Sequence, residues 1–251
     1  MKKVVIFDLD GTLTASKSPL DSEMAGLLGK LLGVAKVAVI SGGSYAQFQK
    51  QFLVHLGFEE AKLSNLLLVP TNGSAMYHYE NGNWMEVYAE RLEKIEREKI
   101  IDAIHQAIKV TGLPKEKVLY GETIEDRGTQ VTFSGLGQLA PLERKLKWDP
   151  DRRKRLPIKE YLDKHVPEFE VRVNSSSSID VTRKGIDKAY GVEKISSRLN
   201  IPIAEMVFVG DALYPGGNDN AVLKTGIETV AVKDSSETKD WISRFISGTS
   251  I

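Results

Sequence analysis

Short apolar runs and amphipathic stretches alternate along the first third of the chain. Residues 3–7, 36–40 and 66–69 each have the length and the Val/Ile/Leu content of a buried strand. Residues 19–32 carry leucine and methionine at helical spacing, and Ser44 can cap a second helix that runs to about residue 55. This alternation predicts a parallel sheet with helices on its faces.

The middle of the chain has a different pattern. Two aromatic-rich runs on either side of Asn81-Gly82 predict a β-hairpin over residues 75–88. Helices are predicted over 89–110 and 158–165, and strands over 130–133, 169–173 and 178–182. Strands of this kind with a few helices between them indicate an inserted α+β domain, which we place at residues 85–183.

The end of the chain returns to the first pattern. Helices are predicted over 187–199 and 237–246, and apolar strands over 206–209 and 229–232. We therefore predict an α/β fold in which residues 1–84 and 184–251 form one Rossmann-like core with a parallel sheet, split by the inserted domain.

Composition narrows the classes of function. The 251 residues are 41% hydrophobic, and 34 basic residues balance 34 acidic ones to a formal net charge of zero. We therefore expect neither nucleic acid nor a membrane as a partner, and we interpret the basic run of residues 152–155 as a solvated face. The chain has no cysteine, which excludes disulfides and thiolate chemistry. The first strand is too short for a signal peptide or a membrane span, so we expect a cytoplasmic protein.

Two carboxylates close the first strand. Asp8 and Asp10 stand two residues apart at its carboxyl end, and Gly11 lets the chain turn directly after them. Parallel strands end at the crevice in which α/β sheets bind ligands, and a carboxylate there can hold Mg²⁺ or attack phosphorus. Because an Asp-Gly turn after an apolar strand is common without any chemistry, the interpretation depends on partners elsewhere in the chain.

Further oxygen ligands follow a later apolar strand, which ends in Asp211. The next loop, residues 215–219, adds more oxygens, although Asp219 by itself could equally cap a helix. Asp8, the backbone carbonyl of Asp10 and Asp211 would form part of a Mg²⁺ shell.

Two more residues could bind a phosphoryl group. Ser41 ends the second strand, where its hydroxyl and the amides after it can contact a phosphoryl oxygen. Lys188 begins a predicted helix, where a cation opposes the helix dipole and needs a compensating anion. Each feature alone is more often a plain turn or a solvated side chain, so only the combination carries weight.

Together these elements resemble the haloacid dehalogenase superfamily of phosphotransferases, whose four motifs they match in order. The insertion between the second and third motifs looks like the C2 cap, type IIB, of that superfamily. The resemblance implies that Asp8 is the nucleophile, that Asp10 is the acid and base, and that Mg²⁺ is the cofactor. It also implies that Ser41 and Lys188 bind the transferring phosphoryl group. The implied metal ligands are Asp8, Asp10, Asp211, Asn218 and Asp219.

A closer resemblance is to the eukaryotic-type phosphomannomutases. It is carried by Ile179-Asp180-Val181, by Gly185-Ile186-Asp187-Lys188, and by the long loop from Gly210 to Asp219. The resemblance implies a small phosphorylated substrate, in those relatives a sugar phosphate, and a homodimer formed through the caps. The implied substrate-binding residues are Lys17, Gly42, Arg127, Arg144, Ser178 and Asp180.

Departures from the mutase pattern bear on the reaction. Gln138 and Lys17 stand where the mutases carry arginines, and residues 222–225 lack the acid that the mutases use for a second cation. Because a mutase must hold a sugar bisphosphate in two orientations, weaker phosphate binding by the cap favours transfer to water. We therefore predict a phosphatase that hydrolyses a sugar phosphate or a similar small phosphomonoester. The alternatives are a phosphomannomutase-like isomerase and a non-catalytic protein that binds phosphorylated ligands, although binding alone would not require Asp10.

Overall fold

The computed structural model describes residues 2–16, 18–174 and 177–248. The chain divides into two compact units. We call Met1–Ala89 together with Asp187–Ile251 the core unit, and Glu90–Ile186 the inserted unit. The predicted substrate-binding residue Lys17 lies outside the described residues.

The helices and strands follow one another in an order close to the predicted one. The strands are β1 Val4–Asp8, β2 Lys36–Ile40, β3 Leu66–Val69, β4 Ala75–Glu80, β5 Asn83–Ala89, β6 Ile124–Asp126, β7 Gln130–Ser134, β8 Phe169–Asn174, β9 Ser178–Arg183, β10 Met206–Gly210 and β11 Glu228–Ala231. The helices are α1 Ser22–Leu31, α2 Tyr45–Gln51, α3 Glu60–Leu63, α4 Lys94–Val110, α5 Leu142–Trp148, α6 Arg155–His165, α7 Lys188–Leu199 and α8 Ser235–Ser247. None of these helices is long and apolar enough to cross a membrane.

The described strands of the core unit form one sheet in the order β11-β10-β1-β2-β3-β4-β5. The strands from β11 to β3 run parallel, and only β4 and β5 are antiparallel. Successive residues of β1 point to opposite faces, so Phe7 packs in a cluster with α1, α2 and α8, whereas Ile6 packs in a cluster with α7. Both faces are therefore covered by helices, as the apolar character of the strands predicts.

The predicted hairpin is present as β4 and β5. Asn81 and Gly82 both have positive φ, 51° and 79°, which is the backbone that a tight two-residue hairpin turn requires. The second strand extends to Ala89, which pairs with Ala75. The border predicted at residue 84 is therefore wrong, because it would cut through a strand that belongs to the core sheet along its whole length.

The inserted unit has an antiparallel sheet in the order β6-β7-β9-β8. Ile100, Ile158 and other apolar residues of α4 and α6 cover one face of this sheet. Buried polar residues line the opposite face along β7 and β9, namely Gln130, Thr132, Ser134, Asp180 and Thr182. The α+β prediction is confirmed, although the short elements β6 and α5 had no clear pattern, and α4 begins five residues later than predicted.

The prediction that residues 152–155 form a solvated face is wrong at Arg155, although Arg153 is exposed. Arg155, the last residue of the basic run taken as a solvated face, is 1% exposed. Its Nε donates to Asp149 Oδ2 at 2.7 Å, and its Nη2 donates to the Asp149 carbonyl at 3.1 Å. Asp149 also accepts the backbone N–H groups of Lys154 and Arg155, so the pair closes the start of α6. A charge run alone does not reveal that one of its members has a buried partner.

Candidate active site

Asp8 is the last residue of β1 and lies between β2 and β10 in the middle of the sheet. Its side chain is buried, and its Oδ1 accepts a hydrogen bond from the Lys188 ammonium. Among the described residues its Oδ2 has no hydrogen-bond partner. A buried carboxylate oxygen without a partner is unfavourable in a folded protein, so it indicates a place where a ligand binds.

Lys188 is the first residue of α7 and is fully buried between two carboxylates. Its Nζ donates to Asp8 Oδ1 and, at 2.5 Å, to Asp219 Oδ1. Burial alone would lower the pKa of Lys188, but the charges of Asp219 and Asp8 outweigh it and raise that pKa above its usual value. Asp187 caps the helix by accepting the Tyr190 N–H at 3.0 Å. The lysine is therefore held charged at the carboxyl edge of the sheet.

Asp219 reaches this edge because the loop after β10 folds back on the strand end. Its Oδ2 accepts the Ala212 N–H at 3.0 Å, so both carboxylate oxygens are hydrogen-bonded. Gly210 leaves the space that this carboxylate occupies, since a Cβ there would lie 2.5 Å from Asp219 Oδ2. Asp219 makes no capping hydrogen bond to the short 3₁₀ helix Asn220–Thr225, so the alternative interpretation as a helix cap is wrong.

Asp211 completes a group of three carboxylates. One oxygen from each of Asp8, Asp211 and Asp219 lies within 4.8 Å of the others. Burial raises the pKa of Asp8 and, less strongly, that of Asp211, and the neighbouring carboxylate of Asp219 adds to both shifts while Lys188 opposes them. Hard divalent cations bind such clustered carboxylates. These residues fit a metal site.

Gly11 allows the chain to pass directly beside Asp211. Its φ of 98° lies in the left-handed region, and a Cβ at this position would lie 2.5 Å from Asp211 Oδ2. Thr12 Oγ1 donates to Asp211 Oδ1 at 3.4 Å. The Asp-Gly turn that ends the first strand is thus packed against the second metal-ligating candidate.

Asp10 sits in a small closed turn after β1. It forms an isolated bridge with Thr14, and the Gly11 N–H donates to the Thr14 carbonyl at 2.7 Å. Leu9 and Leu13 anchor the turn in the core cluster. Gln51, at the end of α2, donates to Asp10 Oδ1 at 3.0 Å. No sequence signal singled out Gln51, because a glutamine in a polar stretch of a helix is ordinarily solvated.

Ser41 follows β2 and is buried beside a tightly bonded turn. Its Oγ accepts the Gly43 N–H at 3.0 Å, which leaves its hydroxyl hydrogen to donate. The half-buried Gly42 lies between these two residues, and Ser44 caps α2 as predicted. Asn72, after β3, donates its N–H to the Ser41 carbonyl at 2.9 Å. Ser41, Asp8 and Asp211 thus all lie at the carboxyl ends of neighbouring strands of one parallel sheet.

The arginines predicted to bind substrate lie in different environments of the inserted unit. Arg127, in the turn between β6 and β7, donates to Glu125 Oε2 through Nε at 2.9 Å and through Nη2 at 2.6 Å. It also donates to Gln138 Oε1 at 3.4 Å. Arg144 is exposed on α5, whereas the next residue, Lys145, is buried and donates to the Gln138 carbonyl at 2.8 Å.

Ser178 and Asp180 stand two residues apart on β9 and therefore face the same side of the sheet. Asp180 Oδ1 accepts from Thr132 Oγ1 at 2.9 Å, and Thr132 Oγ1 accepts from Gln130 Nε2 at 2.8 Å. This chain of hydrogen bonds on the polar face of the inserted sheet orients the Asp180 carboxylate. The substrate-binding roles of Ser178 and Asp180 stay predictions, as does the metal-binding role of Asn218.

A known protein family matches almost the whole of this chain. A family model described as haloacid dehalogenase-like hydrolase matches residues 5–250. The chain belongs to this family. It is a phosphoryl-transfer enzyme of the haloacid dehalogenase superfamily, so the alternative of a non-catalytic binding protein is wrong.

Relatives of this haloacid dehalogenase-like enzyme include phosphomannomutases. Human phosphomannomutase 1 is 24% identical over 220 residues, which cover 85% of this chain and 80% of that protein. The phosphomannomutase of Schizosaccharomyces pombe is 25% identical over 223 residues, covering 87% and 84%. The predicted closeness to the phosphomannomutases is therefore confirmed.

Solved structures agree with the fold. A truncated Plasmodium falciparum IMP-nucleotidase superposes with a TM-score of 0.73 and 17% identity, covering 99% of this chain and 71% of that one. A haloacid dehalogenase-like hydrolase of Bacteroides thetaiotaomicron gives a TM-score of 0.66 at 15% identity, covering 98% and 100%. At these identities the likeness concerns the fold alone.

Proposed function

We propose that this enzyme is a Mg²⁺-dependent phosphatase that hydrolyses a sugar phosphate or a similar small phosphomonoester. The observation that carries the proposal is the buried Asp8 carboxylate, whose Oδ2 has no partner among the described residues while Lys188 holds Oδ1. An oriented carboxylate oxygen beside a buried cation is suited to nucleophilic attack on phosphorus.

The reaction has two steps. In the first, an oxygen of Asp8 attacks phosphorus, the bond from phosphorus to the leaving oxygen breaks, and Asp10 transfers its proton to that oxygen. In the second, Asp10 takes a proton from water, the water oxygen attacks phosphorus, and the bond to Asp8 breaks. Lys188 stays charged throughout and offsets the negative charge of the phosphoryl oxygens, and Ser41 donates a hydrogen bond to one of them.

The metal site belongs to the same proposal. Asp8, Asp211 and the backbone carbonyl of Asp10 would hold Mg²⁺, with Asn218 or Asp219 as further oxygen ligands or as ligands through water. When bound, the ion would neutralise charge on the phosphoryl group as it transfers. Asp219 is the weaker candidate for direct ligation, because Lys188 and the Ala212 N–H already occupy its oxygens.

The charges around Arg127 in the inserted unit favour water, and not a sugar hydroxyl, as the acceptor of the phosphoryl group. Arg127 is ion-paired with Glu125, and Gln138 contributes a neutral amide beside it. The Glu125 carboxylate neutralises most of the positive charge of Arg127 that would bind a second phosphate. The Gln138 amide is neutral and adds no positive charge in its place. An enzyme that holds a bisphosphate in two orientations needs stronger cationic binding than this pair offers.

The second candidate function is a phosphomannomutase-like isomerase. It is favoured by similarity to phosphomannomutases over more than 80% of the chain and by the long loop from residue 210 to 219. The structural likeness to an IMP-nucleotidase makes a nucleoside monophosphate a useful additional test substrate.

One incubation separates the two candidates. The enzyme is mixed with Mg²⁺ and mannose 1-phosphate, with and without a hexose 1,6-bisphosphate, and both free phosphate and mannose 6-phosphate are measured. A phosphatase releases phosphate without the bisphosphate, and chelation of the metal by EDTA stops it. A mutase makes mannose 6-phosphate only when the bisphosphate is present. Inactivity toward a panel of sugar phosphates, nucleoside monophosphates and p-nitrophenyl phosphate would contradict the proposal.

The oligomeric state is a separate proposal. On the resemblance to the phosphomannomutases we propose a homodimer formed through the inserted unit, and sedimentation equilibrium would distinguish a mass near 28 kDa from twice that value. A cytoplasmic location stays a prediction from the sequence.

A further inference from the structure

Gln51 is a buried polar side chain that the proposed mechanism does not use. It is the last residue of α2, and only 6% of it is exposed. Its Nε2 lies 3.0 Å from Asp10 Oδ1 and 3.0 Å from Thr14 Oγ1. A primary amide has two N–H hydrogens, so each of these acceptors receives one of them. The amide plane of Gln51 is thereby fixed against the turn that carries Asp10.

The acceptors are themselves held in place. Thr14 forms the backbone bridge with Asp10, and its Oγ1 donates to the Leu9 carbonyl at 3.4 Å. The backbone carbonyl of Gln51 accepts the Leu20 N–H at 2.9 Å. Phe48, one turn earlier in α2, is completely buried in the core cluster. The glutamine therefore reaches Asp10 from a rigid support and not from a mobile loop.

We propose that Gln51 is a positioning residue for Asp10, an inference that rests on the proposed function. The hydrogen bond from Gln51 to Oδ1 fixes the direction in which the Asp10 carboxyl group presents its proton to the leaving oxygen. Without the amide, the Asp10 carboxyl loses this hydrogen bond and presents the proton to the leaving oxygen less often. Small misplacements of an acid or base are costly in catalysis, because proton transfer requires hydrogen-bond distance in the transition state.

The dependence on the leaving group tests this role. A sugar alkoxide must be protonated as it leaves, whereas p-nitrophenolate leaves readily without a proton. Gln51→Met keeps the length of the side chain and removes both donors, and Gln49→Met, at an exposed position of the same helix, is the matched control. The rate at which the sugar or p-nitrophenol is released in the first turnover is measured by rapid quench. The substrates are a sugar phosphate that the wild-type enzyme hydrolyses and p-nitrophenyl phosphate. The first turnover isolates transfer to Asp8 from the later attack of water.

We expect Gln51→Met to slow the first turnover of the sugar phosphate at least about 10-fold and that of p-nitrophenyl phosphate less than about 3-fold. Gln49→Met should match the wild type with both substrates. Equal losses with both substrates, or no loss with either, would overturn the inference. If Gln51→Met does not fold, as judged by its thermal unfolding midpoint, Gln51→Leu removes the same donors without adding a charge and should give the same selective loss.

The test separates two failures. A wild-type enzyme that hydrolyses neither substrate refutes the proposed function. A wild-type enzyme that hydrolyses both, together with a Gln51→Met variant that shows no selectivity, refutes only the role of Gln51.

Discussion

The core unit and the inserted unit both bury charged side chains, but they satisfy them differently. In the core unit Lys188 bridges Asp8 and Asp219, and one oxygen of Asp8 has no partner among the described residues. In the inserted unit Arg155 binds Asp149 through several hydrogen bonds. Among the described residues, no buried side-chain atom of Arg155 or Asp149 is without a partner, whereas Asp8 keeps one oxygen available to a ligand.

The buried carboxylates of the two units also differ in the number of donors that they receive. Asp149 receives the guanidinium of Arg155 and two backbone N–H groups at the start of α6, so its carboxylate has a full set of donors. Burial lowers the pKa of Arg155, and Asp149 opposes the shift, which is the balance expected of a structural ion pair. In the core unit, by contrast, burial raises the pKa of Asp8 despite the neighbouring Lys188. A divalent cation would reverse that direction.

Replacing the nucleophile should have the largest effect on activity. Asp8→Asn keeps the shape of the side chain but removes the attacking oxygen, so we expect hydrolysis to fall about 10³-fold or more. The thermal unfolding midpoint should change little, because the amide oxygen of asparagine can still accept from Lys188, whose charge Asp219 continues to balance. Phosphate release and calorimetry measure the two quantities. Full turnover by the variant would show that another group attacks phosphorus.

Breaking the structural ion pair should have the largest effect on stability. Asp149→Ala leaves the Arg155 guanidinium buried without its carboxylate, and we expect a loss of about 3–5 kcal/mol in the free energy of unfolding. The double variant Asp149→Leu with Arg155→Met replaces both charges by apolar groups and should lose less. Urea unfolding measures the free energy of unfolding of the wild type and of both variants. A double variant less stable than Asp149→Ala would mean that the attraction between the two charges exceeds the free energy needed to remove them from water.

An intermediate effect is expected at Gly11. Gly11→Ala forces an alanine into the left-handed region and places its Cβ against Asp211, so we expect a loss of about 1–2 kcal/mol in stability. It should also raise the Mg²⁺ concentration needed for half-maximal activity. Gly26→Ala is the control, since a Cβ at this position of α1 meets nothing within 4 Å and should stabilise the helix by about 0.5–1 kcal/mol. An unchanged Mg²⁺ requirement in Gly11→Ala would argue against Asp211 as a metal ligand.

The smallest effect should come from the ion pair of Arg127 and Glu125 in the inserted unit. Glu125→Gln removes the carboxylate that neutralises Arg127, so a hexose bisphosphate should inhibit hydrolysis more strongly, by about 1 kcal/mol in binding free energy. Glu122→Gln, at an exposed position of the same unit, provides the charge-matched control. The inhibition constant of the hexose bisphosphate is measured for both variants at the same ionic strength. Identical constants for the two variants would show that Arg127 does not face the substrate.

Much of the fold could be predicted because its strands are short, apolar and bounded by glycine, proline or a polar turn. The predicted bounds of β2 and β3 match the structure residue for residue, and Asn81-Gly82 marks the hairpin turn through its positive φ. The border between the units was misplaced because no residue of β5 is buried, so the strand lacks the apolar run that marks β1, β2 and β3. The predicted hairpin pairs this strand with β4, but only the folded chain shows that β4 also pairs with β3, so that both strands belong to the core sheet.

The candidate site was predictable where chemistry requires a residue type at the end of a strand. Asp8, Ser41 and Asp211 follow apolar runs, and Lys188 stands at a helix start that Asp187 caps. Gln51 carried no such signal, because its partner Asp10 lies 41 residues earlier in the chain. The burial of Arg155 was hidden in the same way, since a basic run looks the same whether or not a carboxylate is packed against one of its members.

From its sequence alone this protein has an α/β fold, because local patterns determine strands, turns and the residue types at strand ends, and its motifs resemble the haloacid dehalogenase superfamily, to which the family model assigns it. Tertiary structure decided which of its charges are satisfied. Hydrogen-bond partners such as Gln51 and Asp10 meet only when the chain folds. Once buried, polar groups interact more strongly than in water, and an unpaired one is costly. The orphaned oxygen of Asp8 and the closed pair of Asp149 and Arg155 have the same chemical ingredients, and only their packing separates a reactive site from a structural one.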